Sequence, residues 1–226
     1  YDIPVPLSHR FVGTKFSNLF NYLKNQSYFS KFEVHQPQSA SRDRLIRAHS
    51  KNYIEKISNE SLTSKELKKI NLPWSRRLRD RSFLALEGTY QAARQSLENG
   101  IACHVGGGTH HAHYDYGFGF CVFNDLAYTA INLIEEGYVK SVLILDVDVH
   151  QGDGTIDICQ NFPSIFTCSI HSESNFPFEK KKGWLDVSIP AGSKDDYYLF
   201  RVNQTLDIIN KQISPDIVLY DSGIDI

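Results

Sequence analysis

Val142-Leu143-Ile144-Leu145-Asp146-Val147-Asp148-Val149-His150 is the stretch whose reading decides the fold. An unbroken apolar run opens it, as in a strand covered on both faces, and ionisable residues close it. Side chains alternate along a strand, so Asp146, Asp148 and His150 are expected on one side. Burying three such groups without partners is costly. A hydrogen-bonded Asp–His network would account for one pair. Three groups at a strand end favour a metal site, with carboxylate and imidazole donors suited to zinc, iron, manganese or cobalt.

Working outward, short runs rich in β-branched residues predict further strands over 101–105, 165–170 and 217–220. Helical patterns fall between them, near 124–136 and 195–212. This alternation predicts an α/β fold, a doubly wound parallel sheet with helices on both faces. Ligands of such sheets bind beyond the carboxyl ends of the strands. Those ends read Gly106-Gly107-Gly108-Thr109-His110-His111, Asp146 to His150, Ser169-Ile170-His171 and Asp221-Ser222-Gly223. Nearer the start, Phe16, Leu19, Phe20 and Leu23 share a helical face, and 42–57 reads as one helix with Ile46, Tyr53, Ile54 and Ile57 inward. A longer helix is expected over 81–98, stopped by Asn99-Gly100. Arg76, Arg77, Arg79 and Arg81 read as its solvated approach rather than as a partner-docking patch.

The composition bounds the function. At 226 residues, against about 150 per domain, one domain over 1–226 is expected. A content of 41% hydrophobic and 22% charged residues excludes wholesale disorder. A net charge of −2 argues against direct nucleic-acid binding by bulk charge. No apolar run approaches the roughly 18 residues of a membrane span, so no membrane association is expected. Four cysteines without a CxxC pair suit a reducing compartment, cytoplasmic, or nuclear in a eukaryotic cell. The absence of Met and the strand-like final residues are what a piece of a longer protein would show.

Six of the nine histidines lie between positions 104 and 171, and His110-His111 directly follows three glycines. Glycines let backbone approach a ligand closely, so the turn reads as a site floor. Neutral imidazole near pH 7 can take a proton from water and return it to a leaving amine. His113 reads more simply as a turn-capping residue. No Gly-Lys-Ser/Thr and no GxGxxG accompany the glycines, which weakens a phosphate-loop reading.

These residues resemble the zinc-dependent histone deacetylase family of the arginase/deacetylase fold. The resemblance rests on GGGTHHA (106–112), GFGFCVFND (117–125), LDVDVHQGDGT (145–155), TCSIH (167–171), NFPF (175–178) and YDSGID (220–225). Weaker likeness extends to HRF (9–11) and NLPWS (71–75). Gln151, where many members carry a second histidine, is similar to the class IV and bacterial deacetylase-like branch.

The resemblance implies removal of an acetyl or other acyl group from the lysine-like amine of a histone, another protein or a small acetylated amine. It implies a zinc or iron ion held by Asp148 and His150. It makes His110 and His111 the general base and acid, backed by Asp146 and Asp153. It walls an acyl channel with Gly119 and Phe120, facing Phe176. It also implies a structural potassium ion at Asp146, Asp148, His150, Ser169 and Ile170, largely through backbone carbonyls. The bland alternatives are core packing for the two phenylalanines and a local loop bond for Ser169. The family's third metal ligand, an aspartate, is expected about five residues beyond Asp225 and its transition-state tyrosine further on, in a glycine-rich loop, which leaves two ligands here against the three of a catalytic zinc. Two rivals stand beside this reading. One is a two-manganese ureohydrolase of the same fold; the other is a non-catalytic acyl-lysine-binding module or truncated fragment.

Overall fold

The central strand is flanked on both edges at one common level. In the structure, a computed structural model that describes residues 2–223 and 225, β1 (Val142–Asp146) lies between β2 (Ile165–Ser172) and β4 (Ile217–Asp221). Strand β3 (Leu185–Ile189) pairs with the far side of β2, giving the all-parallel order β3-β2-β1-β4. Asp146 stands in register with Ser169 on one side and Asp221 on the other. The readings of the first and last residues fall outside the described residues, as does Ile224 of YDSGID.

The helices are α1 (Lys15–Lys24), α2 (Arg42–Ala48), α3 (Lys51–Ser58), α4 (Ser64–Ile70), α5 (Arg76–Asn99), α6 (Asp125–Glu135), α7 (Asp153–Cys159) and α8 (Asp195–Gln212). Alternation along β1 divides the core between two layers. Val142 and Ile144 join Leu126, Ala130 and Leu133 of α6, with α2, α3 and α5 stacked behind. Leu143 joins Cys168, Ile170, Val187 and Ile209 of α8 on the opposite face. Helices therefore cover both faces, as the strand–helix alternation predicts. The second face ends at β4, where Val218 and Tyr220 are exposed. No helix among the described residues is long and apolar enough to cross a membrane.

Several local expectations are corrected. Residues 101–105 pair with no strand; Ile101 and Cys103 are exposed, and the segment leads as irregular chain into the glycine turn. An apolar run without a partner for its backbone groups is not a strand. The helix expected over 42–57 breaks at His49-Ser50. Ser50 caps α3, while the extended His49 is fully buried. There His49 Nδ1 donates to the His113 carbonyl (3.0 Å) and its Nε2 accepts from Asn124 N–H (3.0 Å). Helix α5 starts at Arg76 behind the Ser75 cap rather than near 81. Its Arg81 is buried instead of solvated, donating to the Gly106 carbonyl (2.7 Å) and lying over the Phe16 ring. The short elements α4, α7 and β3 carry too few residues for a clear period.

Helix α4 matters beyond its length. Thr63 and Glu66 form a reciprocal capping box at its start, and Asn71 closes it in the left-handed conformation. The carbonyls of Lys69 and Ile70 accept the amides of Gly119 and Phe120 at 3.2 and 2.8 Å. Replacing Thr63 with alanine should cost about 1 kcal/mol of stability. Chemical denaturation measures this, and Thr63→Ser should keep nearly the wild-type stability, because its hydroxyl still accepts the Glu66 amide.

Candidate active site

Strand pairing stops at Asp146, so alternation does not carry Asp146, Asp148 and His150 to one face as expected. The chain turns instead through two side-chain-to-backbone bonds. Asp148 N–H donates to Asp146 Oδ1 (3.0 Å) and His150 N–H to Asp148 Oδ1 (2.8 Å). The result is two donor groups rather than one. Asp148 and His150 meet Asp225, while Asp146 meets His110 and Asp221; within each group the donor atoms lie inside 4.8 Å. His150 Nδ1 is 2.9 Å from Asp148 Oδ1 and 3.3 Å from Asp225 Oδ2. Beside Asp148 and His150, the two ligands expected, Asp225 thus offers a third donor. Its signal was the last acid of YDSGID. Gly223 makes room for this approach, since a side chain there would strike Asp148.

The paired imidazoles lie at 4.1 Å between ring centroids, each with its own carboxylate. His110 Nδ1 is 2.7 Å from Asp146 Oδ2, and His111 Nδ1 is 2.6 Å from Asp153 Oδ1. All four residues are buried. Their electrostatics differ. Burial pulls the His110 pKa down, but the carboxylates of Asp146, Asp148 and Asp221 outweigh it and hold it well above the ordinary value. For His111, burial and then the neighbouring His110 charge prevail over Asp153 and lower it to about 4. Asp221 is pushed well above the usual carboxylate range by burial and then by Asp146. Its only sequence signal was its place at a strand end.

His113 is buried too and does not cap its turn with its side chain. Its Nε2 lies 3.1 Å from the second oxygen of Asp153. Its Nδ1 lies 3.0 Å from Asp157 Oδ2, an ion-pair contact outside hydrogen-bond geometry. The ring stacks on Tyr116 at 4.4 Å.

The start of α6 fixes the histidine loop. Asn124 Nδ2 donates to the carbonyls of His110 (3.2 Å) and Ala112 (3.1 Å). Asp125 accepts the amides of Gly108 (3.1 Å) and Thr109 (2.7 Å), together with both the Thr109 and Thr89 hydroxyls. These anchors close GFGFCVFND, at the start of the helix expected near 124–136, where the sequence alone gives them no role in the histidine loop. Ser169 gives its neighbour His171 a local contact (Oγ to Nδ1, 3.0 Å), and Ile170 lies in the core.

The aromatic wall departs from expectation. Gly119 has φ of 51° and Phe120 of 69°, which folds Phe118 back onto Cys121 in a tight bend. Phe120 consequently turns its ring toward Phe11 (5.7 Å) and His9 (5.8 Å), away from Phe176. Phe118 takes that place, 4.9 Å from Phe176, which lies edge-on to His111 at 4.9 Å. Gly119 remains in the site. A β-carbon there would come within 2.8 Å of His111 Cδ2 and 3.1 Å of Phe176 Cε1.

The chain matches the family model described as histone deacetylase domain over residues 9–226. It is 41% identical over 225 residues to an uncharacterized protein of Picosynechococcus sp., covering 100% of this chain and 75% of that one. It is 30% identical to the acetoin utilization protein AcuC of Staphylococcus aureus, covering 90% of this chain and 58% of AcuC. Arabidopsis thaliana histone deacetylase 2 is 24% identical, with 100% of this chain and 62% of that protein covered. Among solved structures, an HDAC homolog from Aquifex aeolicus superposes with a TM-score of 0.81 at 25% identity, over 95% of this chain and 63% of the homolog. An HDAC homolog complexed with SAHA gives 0.80. The chain thus spans about three fifths of several of its relatives.

Asp153 yields a pH prediction. Burial raises its pKa, but the hydrogen bonds from His111 and His113 outweigh that and lower it from 3.8 to about 2. A depressed folded-state value contributes stability that is present above the unfolded value and lost as pH falls through the folded one. Melting temperature should therefore fall steeply between about pH 4 and pH 2, and less steeply in Asp153→Asn. That variant should also lose ~3 kcal/mol at neutral pH, because it strands buried partners.

Proposed function

This chain belongs to the histone deacetylase family, on its bacterial-like side, and from that premise we propose that it hydrolyses the amide of an acetylated, lysine-like amine. One divalent metal ion assists, and residues 1–226 act as one deacetylase-like domain. The observation that carries the reading is the pair of imidazoles, each bonded to its own carboxylate, beside an Asp–His–Asp donor group.

Asp148, His150 and Asp225 offer two carboxylates and an imidazole, and this donor chemistry fits zinc or iron. Bound there, such an ion supplies Lewis acidity toward the acyl oxygen and lowers the pKa of its water. His111 donates Nδ1–H to Asp153, which leaves Nε2 as the acceptor for a proton from the attacking water. His110, surrounded by Asp146, Asp148 and Asp221, keeps a proton that its Nε2 can return to the leaving amine. Phe118, Phe176 and the bare backbone of Gly119 give a long aliphatic stem an apolar surface beside His111. A structural potassium ion belongs to the same reading, at the carbonyls of Asp146, Asp148, His150, Ser169 and Ile170, where Asp146 at the end of β1 stands opposite Ser169 of β2.

A second reading draws on the other donor group. His110, Asp146 and Asp221 could hold a second ion, as in a two-manganese ureohydrolase. The 2.7 Å bond between His110 Nδ1 and Asp146 opposes it, because a proton occupies that nitrogen.

Elemental analysis of the full-length protein should give about one zinc or iron per chain; two ions per chain would favour the ureohydrolase reading. Asp148→Ala, His150→Ala and Asp225→Ala should lose both metal and turnover of an acetyl-lysine peptide. His110→Ala and His111→Ala should keep the metal and slow turnover by roughly 10²–10⁴-fold. Loss of metal in step with activity in both histidine variants would make them ligands and overturn the mechanism. Gly119→Ala should also slow turnover with metal retained, because its β-carbon displaces His111 and Phe176.

A further inference from the structure

We infer that His113 is a positioning residue for hydrolysis, holding the second oxygen of Asp153 so that the first is fixed against His111. The inference rests on the hydrolytic reading above and goes beyond it, since it gives a role to an imidazole that touches none of Asp148, His150 and Asp225 and meets the apolar wall only from behind, at the Phe118 ring (6.1 Å).

The geometry is a chain in which imidazoles and carboxylates alternate. Asp153 Oδ1 lies 2.6 Å from His111 Nδ1 and Oδ2 lies 3.1 Å from His113 Nε2, so one carboxylate is shared by two imidazoles. On its far side His113 faces Asp157, whose Oδ1 takes Lys181 Nζ at 2.8 Å. Tyr116 covers the ring, with Lys69 Nζ 3.9 Å from the tyrosine ring centroid. His49 holds the His113 carbonyl from the other direction. Among the described residues, the charged or titratable groups against His113 are Asp153, Asp157 with its Lys181, Tyr116 with its Lys69, and His49.

A carboxylate with one oxygen bonded can still rotate and change the angle it presents. With both oxygens taken it cannot. His113, only 2% exposed, is itself immobilised by Tyr116, Asp157 and the His49 contact, so it is a rigid support. Such outer partners set ring orientation and tautomer of the group in front of them, and their loss commonly costs about 10–100-fold in activity. Burial lowers the His113 pKa, but its contacts with Asp153 and Asp157 outweigh that and raise it, consistent with a nitrogen that keeps its proton toward Asp153. His110 has no such second imidazole behind Asp146, whose other oxygen takes the Asp148 amide instead.

The test compares His113→Phe, His113→Gln and His111→Ala in the full-length, zinc-loaded protein, with an acetyl-lysine peptide as substrate. Phenylalanine keeps the ring stack and removes the donor; glutamine restores an N–H near the position of Nε2. His113→Phe should lower kcat about 10–100-fold, with KM within about twofold and zinc content unchanged. His113→Gln should recover most of that loss. Wild-type kcat in His113→Phe while His111→Ala is crippled overturns the inference and leaves the hydrolytic reading standing. Equal impairment of the Phe and Gln variants, both folded and zinc-loaded, also overturns it. Should His111→Ala turn over like wild type, the hydrolytic reading falls and this assignment with it. If His113→Phe does not fold, nitrogen-15 NMR of the wild-type histidines decides: a proton on His113 Nε2 supports the assignment, and an unprotonated Nε2 overturns it.

Discussion

A buried carboxylate must be matched by donors, and this requirement shapes the whole carboxyl end of the sheet. Asp125, Asp146 and Asp153 are each at most 4% exposed. Taking such an ion out of water costs several kcal/mol, which only close and complete partnering offsets. Asp146 is matched by His110 and the Asp148 amide, Asp153 by two imidazoles, and Asp125 by backbone amides and hydroxyls of the histidine loop. The same bonds that make the acids tolerable also fix the loop geometry. Folding energetics and site geometry are here one set of contacts.

The two central histidines show how neighbours of one residue type acquire different characters. Both are buried and both face an aspartate at 2.6–2.7 Å. His110 has three carboxylates around it and holds its proton; His111 has the charge of His110 beside it and gives its proton up. A pair whose proton affinities are driven apart in this way suits one member to accept and the other to donate.

Much of this was legible in the sequence because burial on both faces leaves an unambiguous apolar run. Val142 to Asp146 announced the central strand, and the glycine and acid-rich strand ends announced where the chemistry gathers. Helices α6 and α8 fall where their patterns place them. What failed had physical causes. Residues 101–105 have strand-like composition but no partner, and pairing is a tertiary fact that no local pattern carries. In an extended chain 118 and 120 share a face, yet two successive positive φ angles exchange their roles and bring Phe118 to Phe176. Asp225 and Asp221 were visible as acids. Only parallel register with β1 sets Asp221 beside Asp146, and only the path of the chain beyond β4 brings Asp225 to Asp148 and His150. His49 fell inside the helix expected over 42–57, and only its burial in the break shows it as a loop fastener, as burial does for Asn124.

The strand order sets a schedule for synthesis. The group of Asp148, His150 and Asp225 is closed by a contact between Val149 and Asp225, 76 positions apart, and β4 comes last of the described strands. A chain emerging from the ribosome can complete α7, β2, β3 and α8 while Asp148 and His150 still lack their third neighbour. Domains form progressively from the amino end during translation, at about 5–20 residues per second. Several seconds therefore separate the appearance of the first donors from that of the last. During that interval the nascent sheet carries Asp146 and His110 without Asp221, and no ion can be enclosed by all three residues of the donor group. Topology alone thus keeps Asp225 from joining Asp148 and His150 until β4 has been made.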